Sequence, residues 1–238
     1  MYKLVRPIKG FPALLIDKKL IIADLHLGYE YELERHGIKL PPRIKYFTSL
    51  LQKLHSELLF DTIIILGDIK HHVVGISDLE WQIVPSFLNT LLDMNVSITI
   101  VPGNHDGNLL NLTPSNVEIK NVRGFQINKI WLLHGHALPP EEARSSKLIV
   151  MAHLHPLIEF IDEFGFKTSL PVWVYLRGHP SLLVMPAFNP FVGGLVINKN
   201  LKEEYIGPLF RWLKLDMKAA ELYSLDLSFL GPLSFFLI

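Results

Sequence analysis

No cysteine occurs among the 238 residues. Disulfides and thiolate metal sites are therefore excluded, and the composition fits a reducing, cytoplasmic setting. An excess of one charge is also missing. The 23 Lys and Arg balance the 23 Asp and Glu, which argues against a strongly basic nucleic-acid binder, although a local patch would serve one equally well. No apolar stretch approaches the roughly 20 residues that span a bilayer, so no membrane is expected as a partner. Met1-Tyr2-Lys3 lacks the charged-then-apolar layout of a signal peptide. There is no internal repeat, low-complexity tract or flexible linker. The chain is long enough for one large domain, and 1–238 is read as a single domain.

Apolar residues make up 49% of the chain, enough for a large core. They recur as short β-branched or Leu-rich runs that stop abruptly at polar residues. Leu20 to Ala23 meets Asp24, and Thr62 to Leu66 meets Gly67-Asp68. Ser97 to Val101 meets Pro102-Gly103-Asn104-His105-Asp106, and Ile130 to Leu133 meets His134-Gly135-His136. Leu148 to Met151 meets Ala152-His153-Leu154-His155. Continuous apolar runs of this length predict strands buried on both faces.

Helical spacing falls between these runs. Ile44, Phe47, Leu51, Leu54 and Leu58 step by three and four behind Pro41-Pro42, which suits a helix start. Ser77-Asp78-Leu79-Glu80 has the form of a capping box, followed by Trp81, Val84, Leu88 and Leu91. Pro85 within that pattern predicts a kink or a late start. Strand–helix–strand alternation means a layered α/β fold, in which ligands bind beyond the carboxyl ends of the strands. From Lys167 onward the pattern is more β-like, with strands expected over 181–185 and 194–198 and consistent with a second sheet packed on the first. The apolar tail from Leu227 to Ile238, broken by Gly231-Pro232, reads as a final strand or core plug, or else as an oligomer contact.

Each polar cluster alone is ordinary: Gly67-Asp68 is a common strand-to-loop turn, and Gly103-Asn104-His105-Asp106 suits a turn before a helix cap. Five of them in order, each closing a buried strand, are not ordinary. Alternate residues of an extended segment face one way, so Asp24 with His26, and His153 with His155, can each offer two ligands to one side. An Asp, Asn and His donor set without Cys suits Mn, Fe or Zn. Two divalent cations roughly 3.5–4 Å apart can activate a bridging water and clamp both the attacking and leaving oxygens of a phosphoryl transfer. With Asp24, Asp68 and a hydroxide against them, the residual charge is positive and favours an anionic phosphate ester.

Asp24-Leu25-His26, Gly67-Asp68, Gly103-Asn104-His105-Asp106, His134-Gly135 and His153-Leu154-His155 resemble the ordered motifs of calcineurin-like metallophosphoesterases. The resemblance implies a four-layer αββα sandwich of two packed mixed β-sheets flanked by helices. It also implies hydrolysis of a phosphate ester by a hydroxide bridging two divalent metal ions, with manganese expected first and iron or zinc as alternatives. One metal would be held by Asp24, His26, Asp68 and His155, and the other by Asp68, Asn104, His134 and His153. His105 would sit beside the scissile phosphate as a catalytic residue that is not a ligand. Ala152 stands where that family usually has Gly, and the Asp-Arg-Gly segment of Ser/Thr protein phosphatases is absent after Asp68. The latter weighs against a phosphoprotein substrate. His71 matches an extra phosphate-contacting, catalytic histidine of related DNA-repair nucleases, and a plain loop histidine is the other reading.

At a finer level, Asp24 to Glu30, Leu66 to His71, His134 to Pro139 and Pro186 to Gly194 resemble PdeM-type phosphoesterases, described as ligase-associated DNA-damage-response endonucleases. That resemblance implies a phosphodiester substrate in DNA or RNA, and DNA-repair partners. Glu30 reads as a residue behind the ligands or a helix-start acid, and His136 as a partner of a ligand histidine or a loop residue. Arg35, His36, Lys39, Arg43 and Lys45 form a basic run that is either a solvated helix face or a nucleic-acid contact. Two other functions stand beside a nuclease. One is a phosphodiesterase for a small cyclic or dinucleotide; the other is an idle binding module on the same fold, which the intact ligand set disfavours.

Overall fold

The apolar runs become the parallel centres of two sheets. The computed structural model describes residues 5–199 and 207–237, so the reading of Met1 to Lys3 lies outside the described residues. In the first sheet β1 (Arg6–Pro7), β2 (Leu14–Ile16), β3 (Lys19–Ile22), β4 (Thr62–Leu66), β5 (Ser97–Val101) and β6 (Glu118–Ile119) lie side by side in chain order. β1, β2 and β3 pair antiparallel, and β3 through β6 pair parallel. The crossovers carry α1 (Tyr29–Arg35) and α2 (Arg43–Leu58) before β4, and α3 (Glu80–Leu92) before β5.

The second sheet contains β7 (Phe125–Ile127), β8 (Ile130–Leu132), β9 (Leu148–Met151), β12 (Trp173–Leu176), β13 (Ser181–Val184), β14 (Glu221–Tyr223) and β15 (Phe229–Pro232). Its spatial order is β15-β14-β12-β13-β9-β8-β7, with β13, β9 and β8 parallel and the outer pairs antiparallel. A hairpin of β10 (Leu157–Ile161) and β11 (Lys167–Pro171) stands apart from both sheets.

The two-residue period of a strand sorts the core into three apolar layers. Ile63 and Ile65 face outward under Phe47 and Leu51 of α2 and Phe87 and Leu88 of α3. Ile64 and Leu66 face inward to meet Ile130, Leu132, Leu148 and Val150 between the sheets. Ile149 and Met151 point out of the far side, where Leu209 and Phe210 of α4 (Pro208–Leu213) help cover them. The result is two mixed sheets packed face to face with flanking helices. Each fully buried aliphatic side chain contributes about 1.5–3 kcal/mol, so the layers anchor the strand ends from which the polar loops leave.

Two local expectations are modified. α3 begins at Glu80 and runs through Pro85, so there is no late start. The capping box forms: Ser77 Oγ accepts from the Glu80 N–H at 3.3 Å, and Glu80 accepts from the Ser77 N–H at 2.8 Å. The strand expected over 194–198 is only a bridge between Val196 and Leu157. That segment is drawn against the loop carrying His155 instead, and a Cβ on Gly194 would lie 1.9 Å from the His155 carbonyl oxygen. The tail forms edge strand β15 and buries Leu233, while Phe229 and Phe235 stay exposed.

Candidate metal centre

Parallel strands direct all their carboxyl ends to one edge, and the face-to-face packing brings the two edges together. Asp24 and His26 follow β3, Asp68 follows β4, and Asn104, His105 and Asp106 follow β5. His134 follows β8, and His153 and His155 follow β9. Sequence spacing suggested that alternation along extended chain would aim the paired ligands. The mechanism is different. Asp24, His26, Asp68, His153 and His155 all adopt left-handed backbone, with φ of 57°, 43°, 52°, 70° and 45°. Non-glycine residues seldom do so, and such strain gathers at functional sites. Hydrogen bonds hold it in place: His26 N–H donates to the Asp68 carbonyl at 2.8 Å, and Asp24 N–H to the Gly67 carbonyl at 3.1 Å.

Among the described residues three donor groups result: two share Asp68, and a third, of His26, His71 and His105 at the rim, shares His26 with the first of them. Ligand atoms of Asp24, His26, Asp68 and His155 lie within 4.8 Å of one another, as do those of Asp68, His134 and His153. Asn104 joins the second group, its Oδ1 being 3.1 Å from His134 Nε2. His134 Nδ1 donates to the Leu66 carbonyl at 2.9 Å, and His155 Nδ1 to the Gly193 carbonyl at 2.8 Å. Each bond turns the ring's Nε2 toward the carboxylates, as outer contacts of metal-binding histidines do.

The donor atoms themselves test whether cations fit. Asp24 Oδ1, His26 Nε2 and His155 Nε2 are buried without a hydrogen-bond partner among the described residues. Asp24 Oδ1 and His155 Nε2 face each other at 3.3 Å, and His26 Nε2 faces Asp68 Oδ2 at 3.6 Å. A buried polar atom left unpaired costs about 1–3 kcal/mol, and such atoms call for an explanation. Two of them from histidines and one from Asp24, converging with the Asp68 carboxylate, fit divalent cations with oxygen and nitrogen preference.

The electrostatics divide the histidines. Burial pushes His26 down to about 3. Burial, helped by the charge of His134, pushes His153 down to about 4. Both rings are neutral and ready to donate a lone pair. Burial also opposes a charge on His134, but the hydrogen bond and charge of Asp68, then Asp24, outweigh it and raise His134 to about 9. His155 is raised for the same reason, Asp24 overcoming its burial. Burial opposes ionisation of Asp24 and Asp68 as well. His155 and His134 nevertheless hold Asp24 below the usual carboxylate range, and His134 and His26 do so for Asp68.

His105 and His71 stand at the rim. His105 Nε2 lies 4.0 Å from Asp68 Oδ2, its N–H donates to Asp68 Oδ1 at 2.9 Å, and its Nδ1 donates to the His71 carbonyl. Within its loop His71 is hydrogen-bonded: its Nε2 meets Glu32 Oε2 at 2.6 Å and its Nδ1 lies 3.4 Å from His26 Nδ1. His136 packs 5.2 Å from the His134 ring, centroid to centroid, with its buried Nδ1 unpaired among the described residues. Glu30 lies elsewhere in role: it caps α2 by accepting the Arg43 N–H at 3.0 Å.

Several supports were not visible as functional residues. Buried Glu80 accepts the N–H groups of His71 and His72 at 3.0 and 2.7 Å, and both the N–H and the hydroxyl of Ser77. Buried Lys70 reaches the carbonyls of His72 and Gly75. Together they pin the loop that carries His71. Asp106 takes the N–H groups of Ile69 and Gly103 at 3.0 and 2.8 Å, joining the β4 and β5 loops. Asn189 donates to the Leu25 carbonyl at 2.9 Å and supports the first ligand loop. The only sequence signal for Asn189 and Gly194 was the Pro186–Gly194 motif.

Residues 18–181 match the model of the calcineurin-like phosphoesterase family. The chain belongs to that family, a family of dinuclear-metal-dependent hydrolases of phosphoric esters. The Pseudomonas putida nuclease MPE is similar in structure, with a TM-score of 0.59 at 18% identity, covering 93% of this chain and 97% of that one. The phosphoesterase Yfce of E. coli is more loosely similar, with a TM-score of 0.44 at 15% identity over 90% and 96% of the two chains. No curated protein matches by sequence. No helix among the described residues is long and apolar enough to cross a membrane.

Proposed function

We propose that this hydrolase is a phosphodiesterase acting on nucleic acid, with two divalent cations in the paired donor groups. The observation that carries the reading is the shared carboxylate: Asp68 belongs to both groups, with His105 facing it from outside either one. Asp24, His26 and His155 complete one site; Asn104, His134 and His153 complete the other. Divalent cations, if held by these residues, would supply a nucleophile from water at neutral pH and neutralise charge on the phosphoryl oxygens. Manganese, iron and zinc all suit these donors, manganese being the first expectation.

The remaining chemistry belongs to the chain's own residues. With its Nδ1 committed to the His71 carbonyl, His105 turns Nε2 toward the centre. From there the one proton on Nε2 either donates to a phosphoryl oxygen or passes to the departing alkoxide, a poor leaving group unaided, while Nδ1 keeps its own hydrogen on the His71 carbonyl. His71, oriented by Glu32, stands beside His26 where a non-bridging oxygen of the phosphate would approach. The position after Asp68 that bears Asp-Arg-Gly in protein phosphatases is here a loop locked around His71. That difference, together with the nuclease MPE as a structural neighbour, supports a diester over a phosphoprotein.

Purified protein with manganese or with chelator should be assayed on a chromogenic diester, a phosphomonoester, a cyclic nucleotide, and single- and double-stranded DNA. Removing His105 or Asp68 with Ala should lower the manganese-dependent rate, by about 10²–10⁴ for the histidine. Activity confined to the monoester would overturn the diesterase reading, and activity confined to the cyclic nucleotide would replace nucleic acid with a small nucleotide.

A further inference from the structure

Two cavities border the centre, one beside His71 and one beside His155. One, of about 460 Å³, is bounded by His71 together with Glu32, Arg35, His36 and Glu80, and is charged. The other, of about 330 Å³, is bounded by His155 together with Phe11, Tyr46, Leu50, Phe188 and Pro190. Apart from His155 it has no ionisable wall other than the Tyr46 phenol. An apolar, aromatic cavity touching a candidate metal ligand is a site for a flat organic group attached to the reacting phosphate.

Its mouth has a second unusual feature. The guanidinium of Arg43 is held between two rings, 4.4 Å from the Tyr46 centroid and 4.2 Å from that of Phe191. Those rings are 48% and 40% exposed, so the stack faces solvent instead of closing a core. Arg43 forms no ion pair among the described residues, and its Nε is enclosed without a hydrogen-bond partner. Exposed aromatic faces next to an uncommitted arginine are the parts from which proteins build platforms for unpaired bases. The basic run is thereby divided. Arg35 and His36 line the charged cavity, whereas Arg43 stacks on Tyr46, which lines the other.

We infer that the apolar cavity and its Tyr46–Arg43–Phe191 rim form a subsite for the unpaired base of the nucleotide next to the scissile phosphate. The substrate is accordingly a single strand, since a base stacked and paired in a duplex cannot enter. The ring stacks on Tyr46, and Arg43 meets the polar edge of the base or its sugar-phosphate. This rests on the proposed diesterase function but concerns binding, so it can be tested without turnover.

The experiment is fluorescence anisotropy of the full chain, in chelator so that nothing is cut, with labelled hexathymidylate, an abasic strand of the same length, and a hexathymidylate–hexaadenylate duplex closed at both ends by non-nucleotide linkers so that it stays paired. Wild type should bind hexathymidylate about 5- to 100-fold more tightly than the abasic strand, and the duplex no more tightly than the abasic strand. Tyr46→Ala should erase the preference for bases, and Tyr46→Trp, which keeps a stacking face, should retain it. Both changes are at an exposed position, and circular dichroism checks that each variant is folded. Equal affinity for the two single strands, no binding of either, a duplex bound as tightly as the single strand, or a preference untouched by Tyr46→Ala would overturn the subsite. Loss of diester hydrolysis in manganese would instead overturn the function on which it rests, while the binding preference is read separately.

Discussion

Replacing Gly103 with Ala perturbs the centre without touching a ligand. A Cβ there would sit 2.1 Å from Asp68 Oδ1 and 2.5 Å from the Asp68 backbone nitrogen. The first contact is about 0.9 Å inside the 3.0 Å that real Cβ atoms keep. The second involves backbone and cannot be relieved by rotating a side chain. Gly103 does not use left-handed backbone, so a conformational penalty does not confuse the result. The Asp68 carboxylate is the one that two donor groups share, and metal sites tolerate displacements of only about 0.2 Å. A misplacement near 1 Å costs roughly 100-fold in rate. Overpacking should cost only about 1–3 kcal/mol of stability, a fall of about 2–12 °C in Tm for a chain of this size. Gly107→Ala is the control, because its Cβ would meet nothing closer than the Val73 carbonyl at 3.7 Å. Metal content by mass spectrometry, diester hydrolysis and thermal melting read the three consequences. Two tightly bound metals and near-normal activity in a folded Gly103→Ala protein would refute the shared-carboxylate geometry.

Glu80→Ala removes one buried carboxylate that accepts four hydrogen bonds and is one of three anions, with Asp106 and Asp68, acting on Lys70. Donors left buried without an acceptor should cost about 1–3 kcal/mol in denaturant melts; a loss below about 1 kcal/mol would show that the loop does not depend on it. In the metal-free protein His134 is raised from its unfolded value near 6.5 to about 9. Its contribution to stability is therefore complete below about 6.5 and lost as pH rises through about 9. Because a ligand ring must be neutral, loading metal at pH 7 should release protons; calorimetric heats that do not vary with buffer ionisation enthalpy would contradict this. Finally, His26→Gly should be more stable than His26→Ala by about 1 kcal/mol in chelator, since φ is 43° there. At ordinary positions the order is reversed, so Ala equal to or better than Gly would dismiss backbone strain at this ligand.

The strands were legible because Ile63, Ile64 and Ile65 serve two cores at once and leave an uninterrupted β-branched run. The donor set was legible because the carboxyl ends of such strands are where polar residues cannot be explained by packing. What could not be read was the means of convergence. Spacing places His153 two residues before His155, but nothing in a two-residue period reveals that both are left-handed. Glu80 was equally opaque. It reads as a capping-box acid and does cap α3, yet its other oxygen holds the His71 loop from nine residues away. The missing strand over 194–198 has the same origin: contact with the His155 loop, invisible in sequence, outweighed a β-like pattern.

Two distinct costs therefore fall on the same few residues. Asp24 and His155 combine left-handed backbone with buried, unpaired donor atoms, and so does His26. Packing requires neither feature, since the apolar layers close below the loops. Bound cations remove the cost of the unpaired donors but leave the backbone where it was. The hydrogen bonds that hold this strained backbone keep the donors facing one another before any cation arrives, and so limit the reorganisation that binding demands. Stabilisation by added metal measures the first cost, and glycine substitution in chelator measures the second. A site that was merely a fortuitous gathering of polar loops would show neither.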